Sequence, residues 1–170
     1  NKELIPKTIK HIFIISDRRE RIETLRKIAK AVNSDKTMIF INTKYDLEES
    51  LQKLQYHNYN VAALAGNIDK QSKKKAVEDF QNGRLQYLLA TDVAARGLQI
   101  DHVSTVINVN LPEEPTEYLH RAGRCGRNNE QGLCISIITE NELNKIKKYQ
   151  KAFNINIVQK RLYNGKIVSK

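Results

Sequence analysis

Three arginines recur at every third position in His120-Arg121-Ala122-Gly123-Arg124-Cys125-Gly126-Arg127, with a glycine directly before the second and the third. A guanidinium is permanently charged and presents a planar fork of donors that matches phosphate oxygens. Glycine lets the backbone turn sharply and lets a bulky anion come close. A lone pair of arginines at this spacing is usually a solvated basic helix end. The added His, two glycines and third Arg point instead to a phosphate sensor. Upstream, Leu89-Ala90-Thr91-Asp92-Val93-Ala94-Ala95-Arg96-Gly97-Leu98 joins an apolar run to a turn of small residues. Small side chains admit another backbone, and the Thr91 hydroxyl with nearby N–H groups can bind a phosphodiester. The same segment also reads as a tight strand–helix junction with Asp92 as a cap, so function rests on the combination.

These segments need a scaffold, and the apolar pattern supplies one. Short apolar runs at 11–15, 38–41, 61–64, 87–90, 105–109 and 133–139 read as strands, several of them apolar throughout as strands buried on both faces must be. Between them lie helix-period stretches: 17–32 with Asp17 as its cap, a second after Asp46 with Leu47, Leu51 and Leu54 as its stripe, then 69–81, 113–124 and 140–152. Strands separated by helices imply βαβ units: an α/β fold with a mostly parallel sheet and helices on both faces. Ligands of such sheets bind beyond the carboxyl ends of the strands, which singles out the loops at 42–44, 65–67, 91–101 and 110–114. Residues 1–153 read as one domain. Residues 154–170, with one strand-like piece at 155–158, read as a basic tail or the start of a C-terminal extension.

From about residue 10 to 153 the chain resembles the second, C-terminal RecA-like domain of DEAD-box RNA helicases, in helicase superfamily two. Met38-Ile39-Phe40-Ile41-Asn42-Thr43 resembles that family's motif IV, and 65–83 the IVa region after it. Residues 91–98 resemble motif V almost letter for letter, and 120–127 are similar to motif VI. The resemblance implies a RecA-like three-layer αβα fold. It also implies ATP with Mg²⁺ held mainly by a first, N-terminal RecA-like domain of the same protein, with Arg124 and Arg127 reaching the γ-phosphate as arginine fingers. Thr43, Gly66, Lys73 and Thr91 would contact the RNA backbone without reading sequence. Arg96, Gly97 and Gln99 would border the nucleotide; His120, Arg121 and Asp92 would couple the domains, with bracing of the loop the alternative for His120 and Arg121. The wording departs from the family at Ala65, Asn67, Lys70 and Lys73, where His, Asp, Gln and Arg are usual, and at Gln99, where an Asp usually meets the ribose.

There is no Gly-x-x-x-x-Gly-Lys-Ser/Thr and no Asp-Glu-x-Asp in the chain, so on its own it is expected to hydrolyse essentially no ATP. Two other readings stay open: a non-catalytic nucleic-acid-binding module that kept the fold, and a DNA-directed superfamily-two helicase domain. The 170 residues carry a net charge of +10. That excess lies at the ends, because residues 31–143 hold 12 basic and 15 acidic side chains and residues 144–170 hold eight basic and no acidic ones. Cations within the motifs therefore act as individuals, while the basic C-terminal stretch is expected to add salt-sensitive RNA affinity. Cys125 and Cys134 are too few for a disulfide framework or a zinc cluster, and no apolar run approaches a membrane span. A cytoplasmic setting, no membrane partner, no metal site of its own and a monomeric isolated domain are the expectations. His11, His57 and His102 read as structural or exposed, and Phe40 and Tyr118 as packing residues before base-stacking ones.

Overall fold

The computed structural model describes residues 5–170. Eight strands form one sheet: β1 (Ile9–Ile15), β2 (Thr37–Phe40), β3 (Val61–Leu64), β4 (Tyr87–Ala90), β5 (Thr105–Asn108), β6 (Gly132–Ile138), β7 (Ile157–Tyr163) and β8 (Lys166–Ser169). Their order across the sheet is β3-β4-β2-β5-β6-β1-β7-β8, and every pairing is parallel except β7 with β8. Six helices cross between them: α1 (Arg21–Val32), α2 (Lys44–Tyr56), α3 (Lys70–Gln81), the single turn α4 (Asp92–Ala95), α5 (Pro115–Ala122) and α6 (Leu143–Phe153).

Because side chains alternate along a strand, the central runs must be apolar on both sides. Met38 and Phe40 join Phe80 of α3, Tyr118 of α5 and Tyr149 of α6 in one core. Ile39 and Ile41 join Leu25 and Ile28 of α1 with Leu47 and Leu54 of α2 in the other. The result is the expected three-layer α/β arrangement. Among the described residues no helix is long and apolar enough to cross a membrane.

Three local expectations are corrected. Asp17 makes no side-chain cap: the chain first forms a 3₁₀ turn at Arg18–Glu20, closed by the Glu20 N–H on the Asp17 carbonyl at 3.0 Å, and α1 starts only at Arg21. Asp46 does not cap α2. Thr43 does, its hydroxyl accepting the Asp46 N–H at 3.2 Å, so the helix begins one turn earlier than its apolar stripe suggests. Residues 154–170 do not trail from the fold. β7 lies parallel beside β1, pairing Ile12 with Val158, and the 3% exposed Tyr149 and 4% exposed Ile157 belong to the same core. The sequence hides this pairing because β7, though flanked by β1 and β8, is no continuous apolar run: polar Gln159, Lys160 and Arg161 separate Ile157 from Leu162.

Candidate functional site

β3, β4 and β2 are neighbours, and the chain leaves their carboxyl ends at Ala65-Gly66, Thr91 and Asn42-Thr43. Three of the residues expected to meet RNA thus stand along one rim of the sheet. Thr43 and Thr91 are both helix N-caps, the Thr91 hydroxyl accepting the Ala94 N–H at 3.3 Å. Gly66 is exposed, and a Cβ added there would meet nothing within 4 Å. Lys73 is half-buried on α3, whose N-cap Asp69 accepts the Ser72 N–H at 2.8 Å. Side-chain capping satisfies some of the free N–H groups at these helix starts and leaves others turned outward, a disposition that suits anionic oxygens.

The arginines occupy a different place. β4 and β5 run parallel, so residues 91–104 must return from the carboxyl end of one strand to the start of the other. They do so along the face that carries α5, and the turn after α5 meets them there through a Val103–Cys125 bridge. The expectation that ligand groups gather at strand ends therefore holds for the threonine rim and not for the arginine turn, which lies along the helical layer.

Arg121 organises this layer. Its side chain is 1% exposed, and all five of its N–H donors are used. Nε and one terminal nitrogen grip the Asp92 carboxylate at 2.8 and 2.7 Å. The remaining donors reach the side-chain oxygens of Asn42 and Asn108 and the backbone carbonyl of Asn110, while the guanidinium lies 5.2 Å from the centre of the Phe40 ring. One side chain thereby ties the loops after β2, β4 and β5 together. Asp92 takes part in this brace as the bidentate partner of Arg121.

Arg124 donates to the carbonyls of Leu98 at 2.6 Å and Ala95 at 3.2 Å, and burial pushes its pKa down from the usual guanidinium value. Arg127 donates through Nε to the Gly123 carbonyl at 2.7 Å, and its terminal nitrogens make no hydrogen bond among the described residues. Both line a depression of about 400 Å³ together with Gly97, Gln99 and His120. An adjoining one of about 250 Å³ carries Arg96, Asp92 and Arg121. Arg96 and His120 are exposed and share Glu117, at 3.4 and 3.5 Å. Gly126, at φ +70, lets the chain turn between Arg124 and Arg127; a Cβ there would come within 2.5 Å of Ile9.

Asn42, Asn108, Asn110 and Glu117 were not singled out from the sequence, though they hold the named residues in place. Asn108 leaves a trace: a buried amide at the end of an apolar strand must find partners, and it also donates to Ser136 at 3.1 Å. The two cysteines are buried, and burial raises their thiols to about 12 for Cys125 and about 11 for Cys134. Tyr118 and Phe40 are both in the core, as packing residues.

A RecA-like sheet that sets an arginine turn against the loop after β4 defines a helicase-type domain. The helicase conserved C-terminal domain family matches residues 20–129. The DEAD-box ATP-dependent RNA helicase CshC of Bacillus cereus is 34% identical over 94% of this chain and 41% of its own length. The probable ATP-dependent RNA helicase YfmL of Bacillus subtilis is 32% identical over 95% and 43%. The solved C-terminal domain of the DEAD-box protein Dbp5 superposes with a TM-score of 0.85 at 29% identity, over 91% of each chain. S. cerevisiae Dbp5 bound to RNA and ADP BeF3 gives 0.86 at 28%, over 94% of this chain and 43% of that one. The chain belongs to the helicase conserved C-terminal domain family, as the C-terminal domain of a DEAD-box helicase. It spans about two fifths of the length of these two curated relatives.

Proposed function

We propose that this domain is the RNA-holding, arginine-supplying half of an ATP-dependent RNA helicase. The observation that carries the reading is the Arg124–Arg127 turn: two guanidiniums line one depression, on a turn that follows the braced Arg121. The guanidiniums on this side of the cleft fit phosphate oxygens; a Mg²⁺ ion would be held with ATP mainly by the first domain. ATP supplies the phosphoryl group that is transferred to water. On closure, Arg124 exchanges the Leu98 and Ala95 carbonyls for γ-phosphate oxygens, and Arg127 brings its free terminal nitrogens to the same charge. Arg96, Gly97 and Gln99 border the nucleotide. Thr43, Gly66, Lys73 and Thr91 hold the RNA backbone along the rim, so that closure bends one strand and loosens a short duplex.

The test is RNA-stimulated ATPase of the full-length protein carrying Arg124→Ala or Arg127→Ala. Loss of an arginine finger is expected to lower turnover by roughly 10³-fold or more. Near wild-type turnover in both variants overturns the assignment.

A further inference from the structure

The opposite face of the sheet carries a second cationic surface, remote from the arginine turn. β8 packs against α1, and the β7–β8 turn closes a cleft of about 300 Å³ lined by Arg26, Lys27, Lys30 and Tyr163. A second cleft of about 580 Å³ shares Arg26 and Lys30 and continues to His57, so the two form one track along α1. No Asp or Glu lines either cleft among the described residues. The nearest carboxylate on α1, Glu23, is taken by Arg26 at 2.5 Å and Lys53 at 2.9 Å, and the hydrogen bond from Arg26 holds its pKa down at about 2. Lys27 and Lys30 make no ion pair among the described residues, so their charge faces outward unanswered.

Exposed aromatic rings stand on the track at Tyr163 and next to its His57 end at Tyr56. Tyr163 is 57% exposed and lies under the Arg161 guanidinium, 5.2 Å from its ring centre. The two-residue turn Asn164-Gly165, both at positive φ, holds that strand end stiffly. Tyr56, 82% exposed, packs edge-on against His57 at 5.2 Å. Cations spaced beside exposed rings are what a single nucleic-acid strand uses: phosphates on the cations and bases on the rings.

We infer that the α1 and β7–β8 surface is a second RNA contact, taking a single-stranded stretch with its backbone on Lys27 and Lys30 and a base stacked on Tyr163. It rests on the reading that this domain serves an RNA enzyme. It also relocates the basic C-terminal stretch: the charge acts together with α1 as part of a folded surface. Deleting residues after 153 is no clean test, because it would bare the edge of β1.

The test is fluorescence anisotropy of 5′-labelled U20 RNA with the full chain across a range of KCl concentrations. Tyr163→Ala is expected to weaken binding roughly 5- to 100-fold, the worth of one stacked base, while Tyr163→Phe keeps the affinity. Lys27→Gln with Lys30→Gln is expected to flatten the slope of log affinity against log salt by about 1.4, two phosphate contacts on a single strand. Wild-type binding with affinity and slope unchanged in the Tyr163→Ala and Lys27→Gln/Lys30→Gln variants overturns this inference alone. Displacement of U20 by a polyglutamate peptide as readily as by unlabelled U20 assigns the surface to an acidic protein and also overturns it. A wild-type chain that does not bind U20 at all overturns both this inference and the RNA reading of the domain.

Discussion

Replacing Arg121 with Lys keeps the positive charge and removes the fork. Five acceptors surround the guanidinium: both Asp92 oxygens, the side-chain oxygens of Asn42 and Asn108, and the Asn110 carbonyl. An ammonium has three donors, so at least two acceptors lose their partner. Asp92 is 22% exposed and can turn to water, but Asn108 is fully buried and cannot. An unpaired buried acceptor costs about 1–3 kcal/mol, so two lost partners, one of them partly hydrated, cost about 2–4 kcal/mol. Against a typical domain stability of about 5–15 kcal/mol, the variant remains folded but measurably weaker. The chain has no tryptophan, so the assay is urea unfolding followed by far-UV circular dichroism. The midpoint is expected to fall with the m-value unchanged. Asp92→Asn in a double-mutant cycle with Arg121→Lys should show a coupling of about 1 kcal/mol or more. A loss below about 0.5 kcal/mol for Arg121→Lys, with no coupling, would falsify the bracing role, since surface substitutions alone have effects of that size.

Gly126→Ala is expected to destabilise by about 2–5 kcal/mol in the same unfolding assay, combining a left-handed backbone with a methyl forced against Ile9. Gly83→Ala, at φ +87 but with nothing within 4 Å, should cost only about 1–2 kcal/mol; equal losses at the two sites would remove the packing argument. Burial lowers His11 from 6.5 to about 4, and its Nδ1 meets the Tyr118 hydroxyl at 2.8 Å. Because the unfolded chain binds this proton more tightly, the stability His11 contributes is intact above about pH 6.5 and is lost as pH falls from there towards 4, by up to about 3 kcal/mol. The pH dependence of unfolding in that window should flatten in His11→Gln; an unchanged profile would show that His11 is not its source.

Six of the eight strands were readable because each is a short apolar run, and all six fall within two residues of the expected ends. Helix starts were harder. Thr43 and Asp46 are both good caps, and only the geometry at the end of β2 chooses between them. The motif residues were readable by type and spacing, but not by what they touch. Nothing in the local sequence says that Arg121 is buried while Arg127, six residues on, is exposed. That difference arises from three loops far apart in the chain converging on one guanidinium. The β7–β8 hairpin was missed for a related reason: its apolar residues, Ile157 in one core and Leu162 and Ile167 against the other, are interrupted by charged ones and look like a tail until β1 is found beside them.

The position of β1 has a consequence for how the chain is made. The first strand of this domain to be synthesised pairs on one side with β6, Ile9 opposite Gly132, and on the other with β7, His11 opposite Ile157. At roughly 5–20 residues per second, the ribosome takes about 6–25 s to reach the first partner and about 7–30 s to reach the second. Throughout that interval Ile12, Phe13 and Ile14 have no native neighbours in the sheet. The nascent chain therefore passes through a stage at which β2 to β5 can assemble while β1 waits, an unpaired apolar strand and a natural client for a chaperone.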